Sequence, residues 1–141
     1  YINSLFRERT IFTISHYHLQ VPLGTISGNL YFYRPGAEQT GSTIQVSSST
    51  SSQVAFTGTF KQGDIIKIAT SNIVYDITAD ASNATSLSIS PPLFIGNNIA
   101  DDAVIAYTAV TFRCVIDELT MPMADKSLVY KGLKIKFRET M

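Results

Sequence analysis

The 141-residue chain carries eleven basic and eleven acidic side chains, so its formal net charge is zero. Nucleic-acid-binding proteins usually carry a basic excess that neutralises phosphates, so this balance disfavours DNA or RNA as the main partner. Hydrophobic residues make up 45% of the sequence and charged residues 16%, which excludes a disordered chain and favours a globular β-rich protein. We expect a single β domain over residues 1–141. Because Tyr1 is not an initiator methionine, the sequence is consistent with a start inside a longer reading frame.

The sequence also limits cross-links and membrane contact. The single cysteine, Cys114, cannot form an internal disulfide, and its position in an apolar run predicts a buried, unreactive thiol. No stretch approaches the roughly 20 apolar residues that cross a bilayer, and no secretory signal is evident. We therefore expect no membrane insertion.

Short strands bounded by turn residues follow one another along the whole chain. β-Branched and aromatic residues favour strands, and no segment of helical length shows a 3.6-residue period. The predicted strands cover residues 10–21, 29–34, 43–46, 53–60, 65–69, 73–78, 87–90, 103–107, 111–117 and 133–138. The polar run Ser47–Gln53 is typical of an exposed loop. We expect Pro91-Pro92 to end a strand, because proline lacks the amide proton that a β-ladder needs. The predicted fold is all-β: a single β-sandwich or split β-barrel of roughly eight to ten short antiparallel strands.

The last predicted strand shows the cleanest alternation in the chain. Three apolar residues at alternate positions predict a face on the core, and three basic residues between them predict a face on solvent or a partner. The basic residues are Lys134, Lys136 and Arg138. Two interpretations are open: an intersubunit contact or site for an acidic partner, and a solvated edge that prevents aggregation.

Tyr31 and Tyr33 flank Phe32 in a compact aromatic strand. Alternate side chains of a strand point to opposite faces, so the two tyrosines share a face. Burial of alternate aromatic side chains in a core is the common outcome. The other interpretations are a stacking platform for sugars or bases and a contact between subunits.

The sequence shows no pattern that predicts catalysis or metal binding. His16 and His18 share a strand face, but no third ligand lies near them in sequence, so a surface or interface pair is favoured over a metal site. The adjacent carboxylates of Asp101 and Asp102 cannot face each other across a substrate, and we expect them to cap a turn. Asp64 is also expected to be a turn residue whose side chain binds local backbone amides. We predict no catalytic residue, no metal and no cofactor, in a protein that is not an enzyme.

Five segments carry a resemblance to a known family. They are RPGAEQTGSTI (34–44), FKQGDIIKI (60–68), VYDITADA (74–81), LSISPPL (87–93) and LVYKGLKIKF (128–137). In their order, these turn and strand signatures resemble the distal or minor tail proteins of tailed bacteriophages. The family usually carries a longer segment ahead of the first motif.

The resemblance implies a structural subunit of the virion, located in the phage tail and assembled in the host cytoplasm. Copies would form a homo-oligomeric ring, often a hexamer, that links the tail tube to the hub and the fibres through heterologous contacts between neighbours. The family has no catalytic residues to carry over. Two alternatives stay open: a receptor- or glycan-binding β-sandwich that uses Tyr31 and Tyr33, and a head–tail joining or tail-terminator protein of the same virion.

Overall fold

The computed structural model describes residues 11–15, 21–71, 73–120, 123–124, 130–131 and 134–139. This part of the chain forms thirteen strands and no helix, so the predicted all-β class is confirmed. Six of the strands are only two residues long. These short strands raise the number of strands above the roughly eight to ten expected from the spacing of turn signals. Among the described residues, none belongs to a helix long and apolar enough to cross a membrane.

The strands fall into two compact units. In chain order they are β1 Phe12–Ser15, β2 Tyr31–Phe32, β3 Gly41–Ser47, β4 Thr59–Phe60, β5 Ile65–Ile68, β6 Val74–Ile77, β7 Ala81–Ser82, β8 Ser86–Leu93, β9 Ile105–Ala106, β10 Thr111–Thr120, β11 Met123–Ala124, β12 Tyr130–Lys131 and β13 Lys134–Glu139. One unit comprises the described residues of 15–111, and the other those of 1–14 and 112–141. The single domain expected for residues 1–141 stays a prediction.

In the unit of residues 15–111, six strands form an antiparallel sheet in the order β2-β3-β8-β6-β5-β9. The first and last strands of this sheet also meet. Phe32 N donates to Ala103 O at 2.8 Å, and Ile105 N donates to Leu30 O at 2.8 Å. The sheet is therefore nearly closed into a barrel, which covers the edges that an open sheet would leave for unwanted pairing.

Alternating apolar side chains fill the barrel. Those from β3, β6 and β8 include Ile44, Val46, Tyr75, Ile77, Leu87 and Ile89, each at most 1% exposed. Burial of such a side chain contributes about 1.5–3 kcal/mol relative to leaving it in water, so the alternation determines which strand face points inward. Val74, the first residue of β6, is also buried.

β8 continues through Pro91 and Pro92, so the prediction that these prolines end the strand is wrong. The pairing of β8 with β3 changes register between Gly41 and Thr43, where residues 89–92 lie opposite a single residue of β3. This bulge takes both prolines out of regular pairing. Their missing amide protons therefore cost no hydrogen bond of the ladder.

A shorter antiparallel ladder joins the segment around Thr25 to β4, and β4 to β7. Thr25 N donates to Thr59 O at 2.9 Å. The segments approach so closely that a Cβ atom at Gly24 would lie 1.7 Å from Thr59 O, and one at Gly58 would lie 1.8 Å from Thr25 O. Glycine is required at both positions because no side chain fits in that space.

The unit of residues 1–14 and 112–141 contains a sheet in the order β1-β10-β13, and β11 pairs with β12. β10 and β13 are antiparallel. Cys114 of β10 is 4% exposed, which confirms the predicted buried thiol. The pair His16 and His18 lies outside the described residues.

Candidate interaction surface

The two ends of the barrel differ in the side chains that they carry. One end holds the start of β3, the end of β8 and the loops 34–40 and 94–102. The other end holds the turn before β5, in which Asp64 lies. Three carboxylates and one guanidinium occur in the two loops of the first end. We call this surface the acidic end and define it by Glu38, Phe94, Ile95, Asp101 and Asp102.

Glu38 joins the two loops of the acidic end. Its carboxylate accepts hydrogen bonds from the backbone amides of Gly96, at 3.0 Å, and Asn98, at 3.4 Å. The hydrogen bond from the Gly96 amide is the main cause that holds the pKa of Glu38 below its usual value. The charge of Arg34 also lowers this pKa, whereas partial desolvation raises it. Glu38 is therefore ionised at neutral pH, where its charge strengthens the bonds to the loop amides.

Gln39 and Asn97 extend this connection through their side-chain amides. Gln39 Nε2 donates to Tyr33 O, and its Oε1 accepts from Gln45 N at 2.6 Å. Asn97 Nδ2 donates to Gln39 O at 3.0 Å and to Phe94 O at 2.8 Å. The loops are thus held together by a polar network whose members bond backbone groups that would otherwise lack partners.

Asp101 and Asp102 form a turn at the acidic end, as predicted. Asp101 Oδ1 accepts a hydrogen bond from the Arg34 amide, and the Arg34 guanidinium donates to Ile99 O at 2.8 Å. Asp102 has a φ of 60°, a left-handed conformation that Asp adopts more readily than most residues. The turn thus joins the last loop of the barrel to the end of the β2 segment.

Phe94 and Ile95 project from the acidic end, with 55% and 84% of their surfaces exposed. The backbone on either side of Ile95 is held in place, because Asn97 binds Phe94 O and Glu38 binds Gly96 N. Two large apolar side chains are thus presented to solvent on an ordered loop beside carboxylates. Exposed apolar groups with a polar rim are typical of sites that contact other proteins.

Asp64 organises the opposite end of the barrel, where it is 2% exposed. Its carboxylate accepts hydrogen bonds from the amides of Leu23, at 2.5 Å, Gly24, at 3.4 Å, and Lys61, at 2.8 Å. The bond to the Lys61 amide confirms the predicted role of Asp64 within its turn. The bonds to the amides of Leu23 and Gly24 were not predicted, because these residues are distant in sequence. The Lys61 ammonium binds Asp80 at 2.6 Å and is the main cause that lowers the pKa of Asp80.

Tyr31 and Tyr33 are half-buried, while Phe32 between them is completely buried. The alternation predicted for this strand is therefore present, with Phe32 in the core and the tyrosines on the opposite face. The Tyr33 amide donates to Gln45 O at 3.0 Å, which fixes the backbone of this face. The roles of the two tyrosines in intersubunit contacts or ligand stacking stay predictions.

The basic residues predicted to contact a neighbour lie on β13, in the other unit. Lys136 and Arg138 are exposed, and strand alternation places the backbone of Lys134 in phase with theirs. Arg138 Nε lies 3.4 Å from Asp117 Oδ1, yet 66% of the arginine side chain stays accessible. We call Lys134, Lys136 and Arg138 the basic strand. Their role as intersubunit contacts stays a prediction.

The acidic end is a surface that no pattern in the sequence predicted. Its hydrogen-bond network depends on polar side chains in the turns AEQT and GNN. Polar residues in turns are a recognisable sign that side chains bind backbone amides. The partners of those side chains were not predictable, because they lie on another loop.

In the part of the chain that the structure describes, no group of three or more His, Cys, Asp or Glu residues could hold a metal ion.

The chain matches no protein-family model, and no curated protein sequence matches it significantly. The resemblance to phage tail proteins therefore depends on the turn and strand motifs alone.

Proposed function

We propose that the chain is a structural subunit of a tailed-phage virion, a ring-forming distal tail protein that links the tail tube to the hub and the fibres. The observation that carries the proposal is the acidic end, where Phe94 and Ile95 are exposed on a loop fastened by Glu38. An ordered apolar pair with a charged rim suits a surface that binds another protein subunit. In this role the protein is not an enzyme, needs no cofactor and resides in the phage tail after assembly in the host cytoplasm.

The motifs that carry the family resemblance also support this proposal. The segment RPGAEQTG contains Arg34, Glu38 and Gln39, which bind the loop 94–102 or its neighbours. The segment KQGD ends at Asp64, which binds backbone amides of a distant segment. Two of the five motifs therefore contain residues that build the ends of the barrel, and these ends are the surfaces that we propose for contacts with neighbouring subunits.

Light scattering over a range of protein concentrations, followed by negative-stain electron microscopy, tests the proposal. We expect a closed oligomer whose mass is a fixed multiple of the monomer mass, with contacts above roughly 1,000 Å² each. A monodisperse monomer at every concentration would contradict it. The position of the chain in a cryo-EM map of the assembled particle separates the distal tail protein from a head–tail joining or tail-terminator protein.

A second candidate function is glycan binding, favoured by the partly accessible Tyr31 and Tyr33 on one strand face. Sugar rings stack on such aromatic side chains. A glycan array would show hits that Tyr31→Ala and Tyr33→Ala each weaken. An array without hits would eliminate this candidate and leave the structural role in place.

A further inference from the structure

The chain has no net charge, but its basic and acidic side chains are distributed unequally between the two units. Residues 15–111 contain three basic and six acidic side chains, whereas residues 1–14 and 112–141 together contain eight basic and five acidic side chains. The formal charges of the two units are therefore −3 and +3. Such an asymmetry creates opposite electrostatic fields on one polypeptide.

The negative charge of the unit of residues 15–111 is concentrated at the acidic end. The loops 34–40 and 94–102 contain Glu38, Asp101 and Asp102 against the single cation Arg34. The Arg34 guanidinium is committed to Ile99 O, at 2.8 Å. This end therefore combines a net negative charge with the two exposed apolar side chains of loop 94–102.

The positive charge of the other unit includes a matching surface. Lys136 and Arg138 are exposed on β13 at alternate positions, with the backbone of Lys134 in phase with them. Lysine and arginine carry long aliphatic stems that can cover apolar groups while their charged heads contact carboxylates. An arginine head can also lie over an aromatic ring. The neighbouring strand β10 places acidic residues beside the basic strand: Glu118 is the ladder partner of Lys136, and Asp117 Oδ1 lies 3.4 Å from Arg138 Nε. The Arg138–Asp117 pair is at the surface, where ion pairs contribute little, so the arginine can also contact carboxylates of a second molecule. The basic strand can therefore contact both the carboxylates and the apolar pair of the acidic end.

We propose that the acidic end of one copy docks on the basic strand of a second copy, in a head-to-tail contact. The inference rests on the proposed structural role and names the surfaces that would join neighbouring subunits. A second copy is the favoured partner because the same chain carries both the acidic end and the basic strand, so two copies present surfaces of opposite charge to each other. Because the contact joins two different surfaces, it is heterologous and continues into a ring or a filament.

The first test is the salt dependence of self-association, measured by analytical ultracentrifugation of the whole chain. The electrostatic screening length falls from about 10 Å at 0.1 M salt to about 3 Å at 1 M salt. We expect the Kd for self-association to rise about tenfold or more over this range, because screening weakens attraction between exposed charges. An oligomer of unchanged affinity would overturn the docking proposal and leave the structural role standing.

The second test uses one variant for each surface. The strand variant carries Lys136→Glu and Arg138→Glu, and the end variant carries Ile95→Lys and Asp102→Asn. The matched control for the end variant carries Val54→Lys and Asp76→Asn, which make the same charge change at exposed positions outside the acidic end. We expect the strand and end variants each to lose self-association and the control to keep it. Circular dichroism and thermal melting verify that every variant is folded.

Mixing the two variants makes the test independent of folding defects. The strand variant keeps a native acidic end, and the end variant keeps a native basic strand, so one native contact can form between them. We expect a 1:1 complex with twice the monomer mass, although neither variant associates alone. A mixture that stays monomeric would overturn the docking proposal. A wild-type chain that is monomeric in every salt concentration would instead overturn the structural role and this inference together.

Discussion

The backbone amide of Gly96 donates a hydrogen bond to the carboxylate of Glu38 at 3.0 Å, across 58 positions of the sequence. This bond fastens the loop that carries Phe94 and Ile95 to the loop that precedes β3. Glu38 lies outside the apolar core, so its side chain can be changed without disturbing the packing inside the barrel. The order of the acidic end can therefore be tested separately from the stability of the fold.

Replacement of Glu38 by alanine should loosen the acidic end while the barrel stays folded. The amides of Gly96 and Asn98 lose their carboxylate acceptor, so their hydrogen exchange should become several-fold faster. Exchange at core amides such as that of Ile77 should change little. Hydrogen exchange followed by NMR measures both. The matched control Glu38→Gln keeps an acceptor oxygen, so the exchange rates of the Gly96 and Asn98 amides in this variant should lie between those of the wild type and of Glu38→Ala. Equal rates in Glu38→Ala and the wild type would contradict the role of this bond.

The lowered pKa values of Glu38 and Asp80 predict a loss of stability in acid. A carboxyl group whose pKa is lower in the folded protein makes its full contribution to stability above the pKa that it has in the unfolded chain, which is about 4. This contribution is lost as the pH falls through the folded pKa, because the unfolded chain then binds more protons. Urea unfolding between neutral pH and pH 2.5 should show the decline. The double variant Glu38→Gln/Asp80→Asn should show a shallower decline, and a slope equal to that of the wild type would disprove the assignment.

Asp64 is the buried carboxylate whose loss should destabilise the barrel most directly. Asp64→Ala leaves the amides of Leu23 and Lys61 without their acceptor, which should cost about 1–3 kcal/mol in the free energy of unfolding. The control Asp76→Ala, at an exposed position of β6, should change that free energy by no more than about 0.5 kcal/mol. Urea denaturation of both variants measures the difference. Equal effects at the two positions would show that the Asp64 bonds contribute nothing.

Gly58 should not tolerate a side chain. Its φ is 108°, and a Cβ atom would lie 1.8 Å from Thr25 O, so Gly58→Ala combines backbone strain with a clash against backbone. We expect a loss of more than about 4 kcal/mol or a chain that fails to fold. The control Gly28→Ala also has a positive φ, 85°, but meets no atom within 4 Å. It should cost about 1–2 kcal/mol from strain alone. Similar soluble yield and similar unfolding midpoints for both variants would contradict the close approach.

Alternation predicted the faces of the strand around Phe32 correctly, but not how the strands pair. Phe32 and Ile77 lie inside the barrel because every second side chain of a strand points to the same face. Pro91 and Pro92 were expected to end β8, but a bulge accommodates them, and a bulge depends on the partner strand. Exposure of Lys136 followed from the same alternation, whereas the acidic end was not predictable, because Glu38 meets a loop that is remote in sequence.

Local sequence was enough to identify the all-β class and the inward side of the strand around Phe32, because short-range alternation of apolar and polar residues decides which side chains leave water. The tertiary structure alone decided that β2 meets β9 to nearly close a barrel and that Glu38 fastens the loop of Phe94 and Ile95. Both depend on hydrogen bonds between segments far apart in the chain. The choice of partner in such bonds is set by the path of the backbone and not by the local preference of any residue.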